Sequence, residues 1–311
     1  MLLNILLLLA PSTAYAEDWP NWRGPARNGI SAEKQWNRTW PTDGPAVLWR
    51  ASVGTGFSSL TVANGRLYTM GNSDDQDTVF CMDSRNGKVI WKHTYECPLD
   101  DRFFEGGPTS TPTVENDRVY SLSRNGDQFC FDAGSGKIHW SENVHKQASV
   151  RIPAWGFASS PLIHNDHLIL NVGEAGLALD KRDGNIVWKS GDSDAGYMTP
   201  HKLRIGDRWY ALIASGKFYQ CVELETGKVA WKHRWLTTNG CNAADPIVNG
   251  NQLFISSGYG RGAALLSFTN RSAKVIWNST LMQNQLNSSV LVDGHIYGFN
   301  GDEGAEVQLK C

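Results

Sequence analysis

The sequence predicts an all-β chain folded as a propeller of four-stranded antiparallel blades, and three observations carry that reading. An eleven-residue phrase ending in tryptophan recurs as "CMDSRNGKVIW" at Trp91, "CFDAGSGKIHW" at Trp140, "ALDKRDGNIVW" at Trp188, "CVELETGKVAW" at Trp231 and a worn "SFTNRSAKVIW" at Trp277. Each phrase follows an apolar stretch interrupted by a two-residue turn, as in "LTVANGRLYTMG". With Trp49 as a partial first copy, successive tryptophans lie 42, 49, 48, 43 and 46 residues apart. A period in the forties that closes on a strand-like apolar run marks a propeller blade.

Taken in chain order, residues 1–16 read as an export signal. Leu2 to Ala10 are almost wholly apolar and Ala14-Tyr15-Ala16 supplies a small-x-small cleavage pattern, although no Lys or Arg precedes the apolar run. The run is too short to span a bilayer. An exported chain, periplasmic or extracellular, is therefore expected. Residues 17–44 form an N-terminal strap, and residues 45–311 the propeller.

Within each unit, turns such as Asn64-Gly65, Asn116-Asp117, Asn165-Asp166, Asn249-Gly250 and Asp293-Gly294 separate two apolar-alternating segments. These residue types tolerate positive φ, so each pair reads as a hairpin. The phrase adds two more strands around a tight turn. Its glycine, four residues before the tryptophan, is Gly87, Gly136, Gly184 or Gly227; its acid, eight residues before, is Asp83, Asp132, Asp180 or Glu223. The worn copy has Ala273 and Thr269 there. A left-handed glycine closes the turn and the tryptophan rides the last strand. All five of Trp91, Trp140, Trp188, Trp231 and Trp277 are expected to be buried.

Composition excludes several classes. The chain has 311 residues, 41% of them hydrophobic, with 13 tryptophans and a formal net charge of −2. That is ample for a large core, and without basic runs it offers no footprint for nucleic acid or an anionic membrane surface. A monomer is expected. Of its 6 cysteines, Cys81, Cys130 and Cys221 occupy one phase, ten residues before the tryptophan. Equivalent places in different blades are too far apart for a disulfide. They read as small buried side chains beneath the indole. Only Cys97 and Cys241, both in inter-unit loops, escape this constraint.

A small residue, then Asp, Gly and Trp at these offsets resembles the tryptophan-docking repeat of the pyrroloquinoline quinone (PQQ) propeller family, which includes PQQ-dependent alcohol dehydrogenases and BamB-like outer-membrane assembly lipoproteins. The leading "DWPNWRGPARNGIS", residues 18–31, is similar to the opening of secreted bacterial members. The resemblance covers Trp49 to Cys311 and implies eight blades, each tryptophan packing between its own blade and the next. This chain covers about six. Cys311 matches the strand entering the phrase, so the next turn glycine would fall near 317 and the next tryptophan at 321. Eight blades need about 90 further residues at roughly 45 per blade. A truncated eight-bladed design is therefore preferred to closure of a six-bladed ring by the N-terminal strand.

The resemblance leaves two function classes open. The alcohol-oxidising members carry a disulfide between adjacent cysteines, a Ca²⁺ held by carboxylate and amide oxygens, and a catalytic Asp. No Cys-Cys pair occurs in this chain. The acidic stretch "NSDDQD" at 72–77 lacks the glycine and terminal glutamate of a calcium loop and reads as a solvated turn. His164 and His167 have no third ligand in the sequence and read as surface residues. No catalytic residue is assigned and no cofactor is expected, with PQQ and Ca²⁺ as the alternative. Binding residues collect on loops of a rigid scaffold. The candidates in the longer connections are Arg102, Glu105, Arg151, Trp155, His201, Asn242 and Asp245, which otherwise serve as packing between blades. The expected function is a non-catalytic propeller binding a protein, peptide or glycan partner through its loop face. The alternative is a PQQ-dependent alcohol or sugar dehydrogenase.

Overall fold

In the computed structural model, which describes residues 17–34, 36–191, 193–301 and 306–311, the repeat becomes six antiparallel sheets following one another in chain order. The export signal expected at 1–16 lies outside the described residues. Blade 1 is β1 Thr61–Ala63, β2 Arg66–Ser73, β3 Gln76–Asp83 and β4 Val89–Glu96. Blade 2 is β5 Thr113–Glu115, β6 Arg118–Leu122, β7 Asp127–Asp132 and β8 Ile138–Asn143, followed by the single-turn helix α1 Val144–Gln147. Blade 3 is β9 Leu162–His164, β10 His167–Leu170, β11 Leu177–Asp180 and β12 Ile186–Lys189. Blade 4 is β13 His201–Ile205, β14 Arg208–Ala214, β15 Phe218–Glu223 and β16 Val229–Arg234. Blade 5 is β17 Ile247–Asn249, β18 Gln252–Ser257, β19 Gly262–Phe268 and β20 Ala273–Ser279. The sixth sheet has three strands among the described residues, β21 Val290–Val292, β22 His295–Asn300 and β23 Gln308–Lys310.

The turn chemistry is as expected. Asn64, Asn116, Asn165 and Asp293 sit at φ between 49° and 54°, in the left-handed region that Asn and Asp tolerate. In blade 5 the turn is shifted by one residue, because Asn249 still pairs with Gln252 and leaves Gly250-Asn251 as the loop. The acidic stretch at 72–77 is the β2–β3 hairpin, with Asp74 and Asp75 both at positive φ and Ser73 paired with Gln76. These strand directions define two faces. Asn-Gly and Asp-x-x-x-Gly turns crowd one, the turn face, while the long connections between blades crowd the other, the loop face.

Successive blades are joined by the tryptophans. Trp49, Trp91, Trp140 and Trp188 each lie on the turn glycine of the following phrase, Gly87, Gly136, Gly184 and Gly227, so tightly that a Cβ there would fall 2.4–2.7 Å from the indole. Those glycines have φ of 69–79°. No other residue meets both demands. Each indole N–H also crosses the junction: Trp91 donates to the Ala133 carbonyl at 3.0 Å, Trp140 to Lys181 at 3.1 Å and Trp188 to Leu224 at 2.9 Å. Tyr68 and Arg66 donate to the same Ala133 oxygen, and Tyr120 and Arg118 to the same Lys181 oxygen. The acid at the head of the phrase shapes the turn itself. Its carbonyl accepts the glycine N–H at 2.9 Å in four copies, and the Asp132 carboxylate accepts the Ser135 N–H at 2.7 Å. Behind each indole stands the small residue of the phrase, Cys81 opposite Trp91, Cys130 opposite Trp140 and Cys221 opposite Trp231, with a bulge just after it.

Two expectations need correction in the fifth copy. Ser267 holds the phase of Cys81, Cys130 and Cys221, ten residues before its tryptophan, yet Leu265 stands opposite Trp277, because Phe268 pairs with Ala273 and extends the hairpin around a four-residue turn. Trp231 accordingly donates to Thr269 itself, at 2.8 Å. Trp277 is also not buried: it is 42% exposed, against 6–9% for Trp91, Trp140, Trp188 and Trp231. No described turn of the sixth sheet covers it. Among the described residues all cysteines are free, Cys97 and Cys241 included, each buried at a different blade junction.

Docking of this kind predicts an uneven mutational profile. Trp140→Ala removes a buried indole and its inter-blade hydrogen bond and should cost about 3–5 kcal/mol. Gly136→Ala should also destabilise, by more than about 1 kcal/mol, through the Trp91 clash and the left-handed φ. Trp277→Ala should cost less than half as much as Trp140→Ala. Urea denaturation of the three variants checks this, and wild-type stability in Trp140→Ala would refute the docking role.

Candidate functional site

The inner ends of the blades are tied by a girdle. Each first strand is entered through a Ser, Thr or Asp whose side chain accepts the main-chain N–H of its counterpart in the preceding blade. Ser59 N–H reaches Thr111 Oγ1 at 3.0 Å, Thr111 reaches Ser160 at 3.0 Å, Ser160 reaches Thr199 at 3.1 Å, Thr199 reaches Asp245 Oδ1 at 3.0 Å and Asp245 reaches Ser288 at 2.7 Å. Without these acceptors buried backbone donors would be left unpaired.

Asp245 is therefore a wall residue. Its second oxygen accepts from Trp22 Nε1 at 2.6 Å, and Arg23 stands 4.0 Å away. Burial pushes its carboxyl up, an effect that Arg23 and the Trp22 hydrogen bond oppose. Trp22 and Arg23 belong to the strap, which enters from the turn face: Asp18 accepts the Asn64 N–H, Trp19 bridges to Val62, and Pro20 accepts from Val114. Arg23 then donates to the Ser289 carbonyl at 2.6 Å and Arg27 to that of Pro161 at 3.3 Å. The strap thus touches blades 1, 2, 3, 5 and the sixth sheet. His201, first residue of β13, lies on the channel wall beneath it. Burial and the nearby Arg27 and Arg23 push its imidazole down to about 4.

Asn242 is also structural. It is fully buried, its amide donating to the Ser215 and Trp235 carbonyls while its oxygen accepts from Ser257. Three of the seven sequence candidates, His201, Asn242 and Asp245, therefore belong to the wall and strap contacts and not to an open binding face. The reason is positional: the last residues of each long connection are already inside the channel.

Arg102, Glu105, Arg151 and Trp155 do reach the loop face. Trp155 is half-buried between Phe103, at 5.8 Å between ring centroids, and Tyr197, at 5.6 Å edge-on. Phe57 and Phe104 extend the row at 5.6 Å. Phe103 is 58% and Phe57 53% exposed. Polar groups frame this aromatic arc. Arg102 pairs with Asp100 at 2.5 Å and holds its carboxyl below the usual range, while the buried Arg124 donates to Asp100 at 2.5 Å and to the Leu99 carbonyl at 2.7 Å. Arg151 forms a two-pronged pair with Asp194. Glu105 is exposed. The loop between them is closed by Gly107 N–H to the Leu99 carbonyl at 2.9 Å. Arg124, Asp194 and Tyr197 complete the arc and were not singled out from the sequence. Only the neighbouring blade brings them in.

No three His, Cys, Asp or Glu side chains among the described residues converge as metal ligands. Asp245, the carboxylate facing the channel, has its oxygens taken by Trp22 and Thr199. His164 and His167 are brought to Glu225, at 3.3 and 4.0 Å, as an inter-blade contact, and His164 is buried rather than at the surface. No helix of the described residues is long and apolar enough to cross a membrane.

A family model described as "Outer membrane protein assembly factor BamB" matches residues 78–308. Among solved structures, BamB from Moraxella catarrhalis is similar at a TM-score of 0.50 and 12% identity, over 81% of this chain and 83% of that one. A europium-containing methanol dehydrogenase aligns at 0.63 and 15% identity over 86% of this chain, which spans 59% of the dehydrogenase. The computationally designed Ika8 protein aligns at 0.53 and 10% identity, over 83% and 73% of the two chains. At these identities the likeness is one of fold. No curated protein sequence matches the chain.

The strap contact should be acid-labile. His201 titrates near 6.5 when unfolded and at about 4 in place, so between those values the unfolded chain binds the proton more readily. Stability attributable to this residue is complete above pH 6.5 and falls below it, by about 1.4 kcal/mol per pH unit at the steepest. Denaturation at pH 7 and pH 4.5 should show a smaller acid loss in His201→Gln than in the wild type; equal losses would refute the assignment.

Proposed function

The chain belongs to the family of the outer membrane protein assembly factor BamB, and from that premise we propose that it is an exported, non-catalytic β-propeller scaffold that holds a protein partner on its loop face. The observation that carries this reading is the aromatic arc of Phe57, Phe104, Phe103, Trp155 and Tyr197, framed by Arg102, Asp100, Arg151 and Asp194. Large aromatics set in a polar rim are the composition of protein-binding hot spots. The loop face keeps Phe103 and Phe57 open to solvent, on connections whose backbones are pinned by the girdle and by Arg124. A peptide or glycan would use the same rings; the aromatic-plus-arginine chemistry favours protein.

The dehydrogenase reading is supported by the fold shared with the methanol dehydrogenase, and by no residue set found in this chain.

A photo-crosslinking residue placed at Phe103 in the producing cell should give a discrete protein adduct, and the same residue at Asn86, on the turn face, should not. Trp155→Ala or Arg151→Glu should weaken that capture about tenfold or more while the melting temperature stays near wild type. Equal adducts at both positions, or none at Phe103, would overturn the scaffold reading. Dye-linked alcohol oxidation by the purified protein with added PQQ and Ca²⁺ would replace it with the enzyme.

A further inference from the structure

We propose that the cavity between the strap and blades 2 to 4 is a binding site for an oxyanion, carboxylate or phosphate, carried on a flat ring. The cavity has a volume of about 520 Å³, and its walls include Arg27, Glu115, Leu162, His201, Lys202 and Trp209. This is within the usual range for small-molecule sites. It lies on the strap side of the channel, remote from the aromatic arc, and does not depend on the scaffold reading.

Its charges do not balance. Arg27 spends Nη2 on neutral acceptors, Asn21 Oδ1 at 2.9 Å and the Pro161 carbonyl at 3.3 Å, while its Nη1 is buried without a hydrogen-bond partner. Lys202 has no carboxylate partner among the described residues; its ammonium lies 4.4 Å above the Trp209 ring. The carboxylate in the wall, Glu115, is held by Lys181 at 2.6 Å. Asp245, which acts on Arg27 from outside the cavity wall, is bound by Trp22 and Thr199 with Arg23 beside it. Two cations, Arg27 and Lys202, therefore share a partly enclosed space with no carboxylate in direct contact with either among the described residues; Asp245 and Glu115 act on them only from a distance. Desolvated cations left unpaired cost free energy. The mutual strain is visible in the bases: burial and then Arg27 hold both Lys202 and His201 below their ordinary ranges.

An oxyanion lodged between Arg27 and Lys202 would supply the missing charge and accept from the idle Nη1. The remaining walls choose what carries it. Trp209 is 36% exposed and flat, and Leu162 and Ile163 add apolar lining. A ring on that indole gains the stacking contact that a bare ion lacks. Carboxylate and phosphate meet the same two cations, so the choice between them belongs to experiment.

Isothermal titration of the full chain with phenyl phosphate, benzoate, inorganic phosphate and phenol tests the site. Phenyl phosphate or benzoate should bind saturably, inorganic phosphate about tenfold more weakly and phenol not at all; the tighter of the two ring anions identifies the oxyanion. Lys202→Met should lower affinity tenfold or more with an unchanged melting temperature, and Trp209→Leu should bring the ring anion to the level of its bare ion. Arg151→Glu, on the loop face, should leave binding intact. In the wild type, the bound anion should raise the His201 imidazole, followed by NMR, from about 4. The proposal is overturned if neither ring anion saturates, if phenol binds as tightly, or if Lys202→Met binds like the wild type; equal affinity for phenyl and inorganic phosphate overturns the ring.

Discussion

The contact on which this architecture rests is an indole lying on the turn glycine of the next blade while its N–H reaches that turn's carbonyl. It explains why the phrase is spelled to the residue. The acid must close the turn, the glycine must present a bare left-handed Cα to the indole of the blade before, and the tryptophan four residues on must face the other way, onto the next blade. Because each contact joins only neighbours, stability is transmitted blade to blade as in other repeat proteins. Trp277 shows the rule by exception: with no described turn of the sixth sheet over it, 42% of its surface is left to solvent.

The girdle solves a second problem created by the same geometry. Strands that meet at a channel leave main-chain donors facing inward, where a Ser or Thr one blade further round can accept them. Blade 5 uses Asp245 in place of a hydroxyl, and that single change has consequences. A carboxylate in the channel must be compensated, and Trp22 and Arg23 do so. The strap is thereby anchored across the ring, and Arg27, drawn in with it, brings a second cation that shares Asp245 with Arg23 and makes no ion pair of its own.

Much of this was legible in the sequence because local chemistry spells it. The period, the four turn glycines, the Asn and Asp hairpins and the cysteines beneath the indoles all depend on residues within one unit, and the structure keeps them. The fifth copy misled because a lost glycine permits a longer hairpin, so that counting back from Trp277 reaches Ser267 where Leu265 stands. The girdle went unread although "STP", "SSP", "MTP" and "ADP" recur in phase, since a small polar residue before proline says nothing about a partner some 40–50 residues away. Asp245, Asn242 and His201 were placed with the loops for a related reason. Sequence shows where a connection runs but not at which residue it passes from rim to wall.

The connection into blade 4 makes that passage within five residues. Tyr197 closes the aromatic arc on the loop face, and His201 lines the strap-side cavity. Between them, Tyr197 and Met198 donate to the Asn242 carbonyl at 3.0 and 3.1 Å, and Thr199 donates to Asp245. Asn242 is in turn bound to blade 4 and blade 5 through Ser215 and Ser257. A segment pinned at three consecutive residues is held in register between the two faces. The wall that brings the two faces so close in sequence therefore also holds a pinned backbone between them.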